Sequence, residues 1–353
     1  MMNSNQKSNM QITLSGEAKA RVDARFARVS IEGKINSMLY LAALLRESQI
    51  EDGPNFSVDM RLDIPNAVEL LEMKNKVSLL PLETVDQRVK LPALPGTILR
   101  LQRALDDKES AEVLAAIIAP DPKLTTAILS LVNSSLNSLQ SKVETLSRAV
   151  AIVGTKEISS LALGARMLSM FEENLPPGLP VHIYYKHSIA TATIAHSMAV
   201  FLGRDEPEKY FVAGLLHDMG RVILFSSYPD LAQVVMALHK EKGMALHEAE
   251  ELAFDADHCM IGGLFFGKWS MPRSVVNSAL YHHDPSMCAE REVEGVIYAA
   301  NQVATAVGIG CNQKYLMNEG DKVWDSLGLG AQELFQILEG LDERLLVLYA
   351  AIF

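Results

Sequence analysis

Aromatic side chains make up only 6% of this 353-residue chain, and cysteines number three. Cys259, Cys288 and Cys311 are odd in number and lack CxxC spacing. Neither a disulfide framework nor a thiolate zinc site is indicated, and each cysteine reads as a small apolar core residue. No uncharged apolar run approaches the roughly 18–20 residues that a membrane-spanning helix requires. Residues 1–19 also lack the apolar centre of a secretory signal, so the expected compartment is the cytoplasm. Basic side chains are outnumbered by acidic ones, 32 to 43, for a formal net charge of −11. That balance argues against a broad electrostatic footprint on DNA or an anionic membrane, so neither is an expected partner. The sequence has no P-loop, no glycine-rich dinucleotide fingerprint, no GxSxG elbow and no HExxH, which removes the commonest nucleotide-binding, serine-hydrolase and zinc-protease readings.

What the chain does have is apolar content, 49%, ample for a packed core, and a length that fits about two domains. Residues 1 to about 16 are polar, and a helix is expected after Asp63-Ile64-Pro65, with Val68, Leu71 and Met73 on one stripe. From Leu91 onward, helical segments of 10 to 18 residues alternate with short breakers. Asp121 and Pro122 open one as N-cap and first helical residue, putting Leu124, Ala127, Ile128 and Leu131 on one face. A short helix from Thr145 to Val153 stops at Gly154, and Thr155 is expected to cap the next, with Ile158, Leu161, Ala162 and Ala165 inward. This helix pair, with Lys142, Arg148, Lys156 and Arg166 nearby, can be read as a DNA-binding helix-turn-helix. Glu144 and Glu157 interrupt the charge, and ordinary bundle packing is the simpler reading.

The proline-rich stretch 174–180, Asn-Leu-Pro-Pro-Gly-Leu-Pro, reads as a linker dividing the helical region. Helices are expected beyond it near 183–202, 207–217, 228–242, 246–266, 272–282, 290–308 and 331–350, with Gly220 ending the apolar helix that carries His217. With no sustained alternation of period two, the fold class is all-α. Met167, Met170, Met198 and Met236 read as core filler, Glu248, Glu250 and Glu251 as a solvated helix face, and Trp269 and Trp324 as packing residues.

All nine histidines lie between His182 and His283. The strongest local feature is Gly-Leu-Leu-His-Asp-Met-Gly over 214–220, which sets His217 beside Asp218 at the end of an apolar helix. Alone, such a dipeptide is commonly a buried imidazole bonded to a carboxylate. Its company strengthens it: His187 upstream, His258 after Asp257, and the doublet His282-His283 before Asp284-Pro285. Imidazoles with carboxylates suit iron, manganese, zinc or nickel, and such ions lower the pKa of bound water enough for attack on a phosphoester.

Over roughly residues 86 to 340 the chain resembles the HDOD (HD-related output domain) family, a divergent all-helical branch of the HD metal-dependent phosphohydrolases. The likeness rests on Leu-Pro-Ala-Leu-Pro over 91–95, Ile-Ile-Ala-Pro-Asp-Pro over 117–122, Ala-Val-Ala-Ile-Val-Gly over 149–154, Lys186-His187-Ser188 and the 214–220 motif. It continues through Asp257-His258, Gly262, Trp269, Met271-Pro272 and Tyr-His-His-Asp-Pro over 281–285. The resemblance implies a metal set of His187, His217 and Asp218, with His258, His282 and His283 as the additional histidines of two-metal relatives. One or two divalent ions (iron, manganese, zinc or nickel) are the implied cofactors. The set's final aspartate is expected where Asn301 stands, in the same pocket as His217. An amide offers at most a weak carbonyl ligand and no negative charge. No Gly-Tyr-Pro follows the histidine doublet, and Arg221 occupies a position where many active relatives carry lysine.

The expectation is an all-α, multi-helix bundle in three parts. These are an unassigned, mostly helical N-terminal extension over 1–85, an N-terminal helical part of the HDOD region over 86–178, and a divergent HD-like bundle with C-terminal helices over 181–353. The implied function is bacterial signal transduction through protein contacts, with signalling proteins as partners and a homodimer compatible with the reading. The alternative is an active phosphohydrolase or cyclic-nucleotide phosphodiesterase, with His217 and Asp218 as its catalytic residues.

Overall fold

Capping side chains start several of the described helices, at Ser15, Asp121, Thr145 and Asp257, and a few special backbone positions interrupt them. A computed structural model describes residues 15–27, 34–50, 96–133, 142–172, 181–288, 291–310 and 321–352. The helix expected after Pro65, the 174–180 linker and Cys311 lie outside these residues. Every regular element among the described residues is helical, with no strand, so the fold is all-α.

Two helices, α1 (Gly16–Arg25) and α2 (Lys34–Ile50), pack against each other, and Arg21 and Arg25 both bind the buried Glu47 carboxylate. The next group comprises α3 (Gly96–Asp106), α4 (Ala111–Ile118), α5 (Pro122–Asn133), α6 (Leu146–Val153) and α7 (Thr155–Glu172). Asp121 Oδ1 accepts the Leu124 N–H at 3.0 Å and Pro122 begins α5, burying Leu124, Ala127 and Ile128. Thr145 caps α6 through the Arg148 N–H, and Gly154, at φ 110°, ends it. The Gly154 carbonyl also starts α7 by accepting the Ile158 N–H, so Thr155 is the first helical residue rather than the cap expected of it.

The second half runs α8 (Val181–Phe201), α9 (Pro207–Leu216), α10 (Met219–Ser227), α11 (Pro229–Ala237), α12 (Leu246–Phe254), α13 (His258–Lys268), α14 (Arg273–Tyr281) and α15 (Arg291–Ala306). It closes with α16 (Asp321–Leu327), α17 (Ala331–Leu338) and α18 (Leu341–Ile352). Helix α8 lies against α9 and α15, while α13 is held between α10 and α14. The chain's N- and C-terminal helices are joined by Arg46, which is 3% exposed, donates to both Asp342 carboxylate oxygens at 2.8 and 3.0 Å and also reaches the Val307 carbonyl.

Three further sequence expectations are corrected. Gly220 does not terminate the His217 helix. It sits in the first turn of α10, where a Cβ would lie 1.9 Å from the His258 carbonyl oxygen and 2.6 Å from the Gly262 nitrogen, so glycine permits α10 and α13 to touch backbone to backbone. The helix expected over 246–266 is two, because Asp255 turns left-handed at φ 55° and Asp257 caps a new start through the Met260 N–H. The segment expected over 331–350 breaks at Gly340, at φ 65°. Met167, Met198, Met236 and Trp324 are buried core residues, as expected.

Candidate metal centre

Five elements deliver the site. Helix α9 is apolar all round, with every side chain from Tyr210 to Leu216 buried, so its C-terminal end carries His217 and Asp218 into the interior. His187 comes from the middle of α8, His258 is the first residue of α13, His282 and His283 follow the end of α14, and Asn301 lies on α15. All the sequence-predicted residues therefore meet in one place. His217, His258 and His282 are 0% exposed, His187 and Asp218 are 3% exposed, and His283 and Asn301 are half-buried.

Backbone carbonyls and carboxylates only accept hydrogen bonds, so they identify which ring nitrogen carries each proton. His187 Nδ1 donates to the Ile309 carbonyl at 2.8 Å, and His217 Nδ1 donates to the Gly214 carbonyl at 2.7 Å. His258 Nδ1 donates to Glu250 Oε2 at 2.5 Å, and His282 Nδ1 lies 3.0 Å from the Ser278 carbonyl. Each of these Nε2 atoms is thereby turned inward with its lone pair available. Their separations are short: His258 Nε2 is 3.1 Å from both His282 Nε2 and His283 Nε2, and Asp218 Oδ1 is 3.1 Å from His258 Nε2, 3.3 Å from His282 Nε2 and 3.7 Å from His217 Nε2.

Acceptor atoms so close, buried away from water, repel unless protons or a cation lie among them. His217 Nε2 is buried without any hydrogen-bond partner, the condition of a ligand atom awaiting an ion. His187 Nε2 faces Asn301 Oδ1 at 2.8 Å, again acceptor to acceptor as oriented; a rotated amide would place an N–H donor there instead. The donor set thus fits divalent metal in two adjoining groups. One is His187, His217 and Asp218, and the other His258, Cys259, His282 and His283, with the ligand atoms of each group within 4.8 Å of one another.

The charges around these ligands are unusual. Arg221, 1% exposed, donates to Asp218 Oδ2 at 2.6 Å and to Glu250 Oε1 at 2.5 Å, and its third nitrogen lies 2.9 Å from His258 Nδ1. Burial pushes both carboxyls up, but Arg221 and the neighbouring imidazoles outweigh it, holding Glu250 at about 2 and Asp218 well below the usual carboxylate range. Burial lowers His187 and His217. For His282 the same burial is overcome by Cys259 and Asp218, which raise it to about 9, and His258 is raised by Cys259, Glu250 and Asp218. At these two rings a proton and a metal ion compete for the same Nε2 lone pair.

An HDOD domain model matches residues 91–285, more than half of the chain. This protein belongs to the HDOD domain family. An uncharacterised protein of Treponema pallidum (strain Nichols) is 25% identical over 229 residues, which cover 64% of this HDOD chain and 43% of that protein, so the chain matches less than half of its relative's length. Among solved structures, a Shewanella amazonensis SB2B protein named "Putative phosphohydrolase" is similar with a TM-score of 0.61 at 20% identity, over 77% of this chain and 97% of that one. A Marinobacter aquaeolei VT8 protein named "Putative signal transduction protein" has a TM-score of 0.60 at 18% identity, over 88% of this chain and 72% of the other. At these identities the likeness establishes the HDOD fold.

For three participants the sequence did not show their place in the pocket. Glu250, expected on a solvated face, is fully buried. The signal was present, since Leu246, Ala249, Glu250, Ala253 and Phe254 fall at the spacing of one helix face, and all five are inside. Arg221 stands three residues after Asp218, the spacing of neighbours on a helix, yet nothing local marks it as buried. Cys259 is buried as expected, but its Sγ lies 3.5 Å from His258 Nε2, among the pocket's ligands and not in a merely apolar core.

Proposed function

We propose that this HDOD chain is a signal-transduction regulator that works through contacts with other proteins, and that its HD pocket holds one or two divalent metal ions. The observation that carries the reading is the convergence of the inward-facing Nε2 atoms of His217, His258 and His282 on Asp218 Oδ1, with His187 in the same ligand group, in a buried space where each imidazole is anchored from behind by a carbonyl or carboxylate. His187, His217 and Asp218 would hold one ion and His258, His282 and His283 a second, with Asp218 near both. Two features favour regulation over turnover. Asn301 brings no negative charge, and Arg221 already neutralises the far side of Asp218, so the pocket's anionic charge is partly spent before an ion enters. The name of the Marinobacter relative is in line with a signalling role.

The second reading is a metal-dependent phosphohydrolase, favoured by the near-complete ligand set and by the name of the Shewanella relative. A bound ion would then supply Lewis acidity and a water of lowered pKa. In that reading Asp218 orients the ligand cluster, while the half-buried His283 and Asn301 form the side from which a phosphoester approaches.

Elemental analysis of protein purified without a metal-binding tag tests the common ground. Stoichiometric metal is expected in the native chain and little in His217→Ala/Asp218→Ala. An empty native pocket after incubation with excess iron, manganese, zinc and nickel overturns both readings. Phosphoester turnover by the loaded protein that vanishes in Asp218→Ala moves the conclusion to the enzyme; loaded protein inert toward phosphoesters supports the regulator.

A further inference from the structure

The two ligand groups differ in chemistry. His187, His217 and Asp218 are nitrogen and oxygen donors, whereas the second group includes a sulfur. We propose that Cys259 is a thiolate ligand and that His258, Cys259, His282 and His283 form a zinc-type site, so that the pocket sorts a thiophilic ion to this side and a harder ion to the other. The inference rests on the metal-pocket reading above and goes beyond it in naming a ligand and a metal class.

Geometry carries the argument. Zinc bonds of about 2.0–2.1 Å to nitrogen and 2.3 Å to sulfur at tetrahedral angles separate neighbouring ligands by roughly 3.3 Å for N···N and 3.6 Å for N···S. Here the N···N separations from His258 Nε2 to His282 and His283 are both 3.1 Å, and Cys259 Sγ stands 3.5 Å from His258 Nε2 and 3.9 Å from His282 Nε2. These are close to the edges of a ligand tetrahedron. The sulfur is 6% exposed at the residue level, so no solvent competes for it. Two of the histidines have their outer nitrogens tied down, His258 by Glu250 and His282 by Ser278, which leaves their Nε2 atoms as the ligand atoms; the sulfur stands beside the His282 ring, 4.0 Å from its Nδ1 as well, so a small turn of the Cys259 side chain completes the tetrahedron. Thiolate with imidazole selects zinc over manganese or magnesium, while the His187, His217 and Asp218 group has no such preference. Cys288, the other buried cysteine described, receives a hydrogen bond from Asn277 and is not among the ligands, which makes it the internal control.

Cobalt(II) titrated into metal-free full-length protein is the probe. A near-ultraviolet sulfur-to-cobalt charge-transfer band is expected in the native chain and in Cys288→Ser, and it should be displaced by zinc. Cys259→Ser and Cys259→Ala should lack the band while still binding cobalt through His187, His217 and Asp218. Their zinc affinity should fall by at least the roughly tenfold that loss of a mere outer-shell partner costs. Circular dichroism establishes that the variants fold; if they do not, a band that persists in Cys288→Ser/Cys311→Ser still assigns the sulfur to Cys259, and its loss there overturns the inference. Cobalt bound with visible ligand-field bands but no thiolate band overturns the Cys259 inference and leaves the pocket reading standing; failure to bind cobalt at all overturns both.

Discussion

A guanidinium with 1% of its surface exposed must find its hydrogen bonds inside the protein, and Arg221 finds them on Asp218 and Glu250, with its third nitrogen beside the His258 ring. It is a permanent cation in the wall of a pocket whose ligands also attract cations. That placement has a cost for removal. Arg221→Leu leaves two carboxylates buried without their partner, and breaking a buried pair in this way typically costs about 3–5 kcal/mol. Urea unfolding should show a loss of that order in metal-free protein. The deficit should shrink when zinc or manganese is added, because an ion can take over the orphaned negative charge. A deficit unchanged by metal would mean that the Arg221 side of the pocket is insulated from the ion. At this scale the sequence was informative about identity but not about charge. The histidines and Asp218 stood out as a pattern, whereas Glu250 looked like one of several acidic residues on an exposed helix.

At the scale of elements, the pocket depends on how closely α10 and α13 approach. Gly220 lies against the backbone of His258, the residue that begins α13, so any side chain there must push α13 outward. Gly220→Ala is expected to destabilise the fold by about 1–3 kcal/mol or more, as overpacking does. Because His258 moves with α13, metal stoichiometry should fall even in the fraction that remains folded. Full metal content in a folded Gly220→Ala protein would show that the ligand set tolerates a shift of α13. A second glycine acts in the same neighbourhood. Gly310 has φ 129°, and a Cβ there would lie 2.6 Å from His187 Nδ1, beside the Ile309 carbonyl that orients that ring. The sequence marked most helix starts correctly because caps are local: Asp121 and Thr145 act on N–H groups three residues away. Splits at Asp255 and Gly340 were missed because an apolar pattern can run straight through a turn when both flanking helices bury the same side of the chain.

For the molecule as a whole, burial of histidine outside the pocket links stability to pH. His196, on α8, packs against Phe211 and is 3% exposed. Burial first, and then the charge of Arg344, lower its pKa from 6.5 to about 4. The unfolded chain therefore takes up this proton before the folded one does. The stabilisation is complete above pH 6.5 and is lost as pH falls towards 4. Comparing native protein with His196→Gln by urea unfolding at pH 7 and pH 4.5 isolates the contribution from that of the pocket histidines. The native chain should lose more stability between those two pH values than the variant. Equal losses would show that His196 is protonated in the fold or exchanges with solvent. The other long-range feature at this scale is Arg46, which ties α2 to Asp342 on α18 and to the chain just after α15. Its partners are 261 and 296 residues away, and no local pattern could have named them.

The amino-acid sequence by itself determined the all-α class, most helix starts, the family and the principal ligand candidates. Each of these follows from contacts or periodicities within a few residues, or from short motifs whose order along the chain is itself the signal. Only the tertiary structure decided that His187, His217, Asp218, His258, His282, His283 and Asn301 face one another, that Arg221 and Glu250 stand behind them, and that Cys259 joins them. Those facts depend on five elements separated by tens of residues being brought within about 3 Å, and on what each side chain loses when water leaves. A glutamate on a helix face is a solvated charge until another helix covers it. Once covered, it survives only with a guanidinium and an imidazole for company, and that company is what makes the pocket.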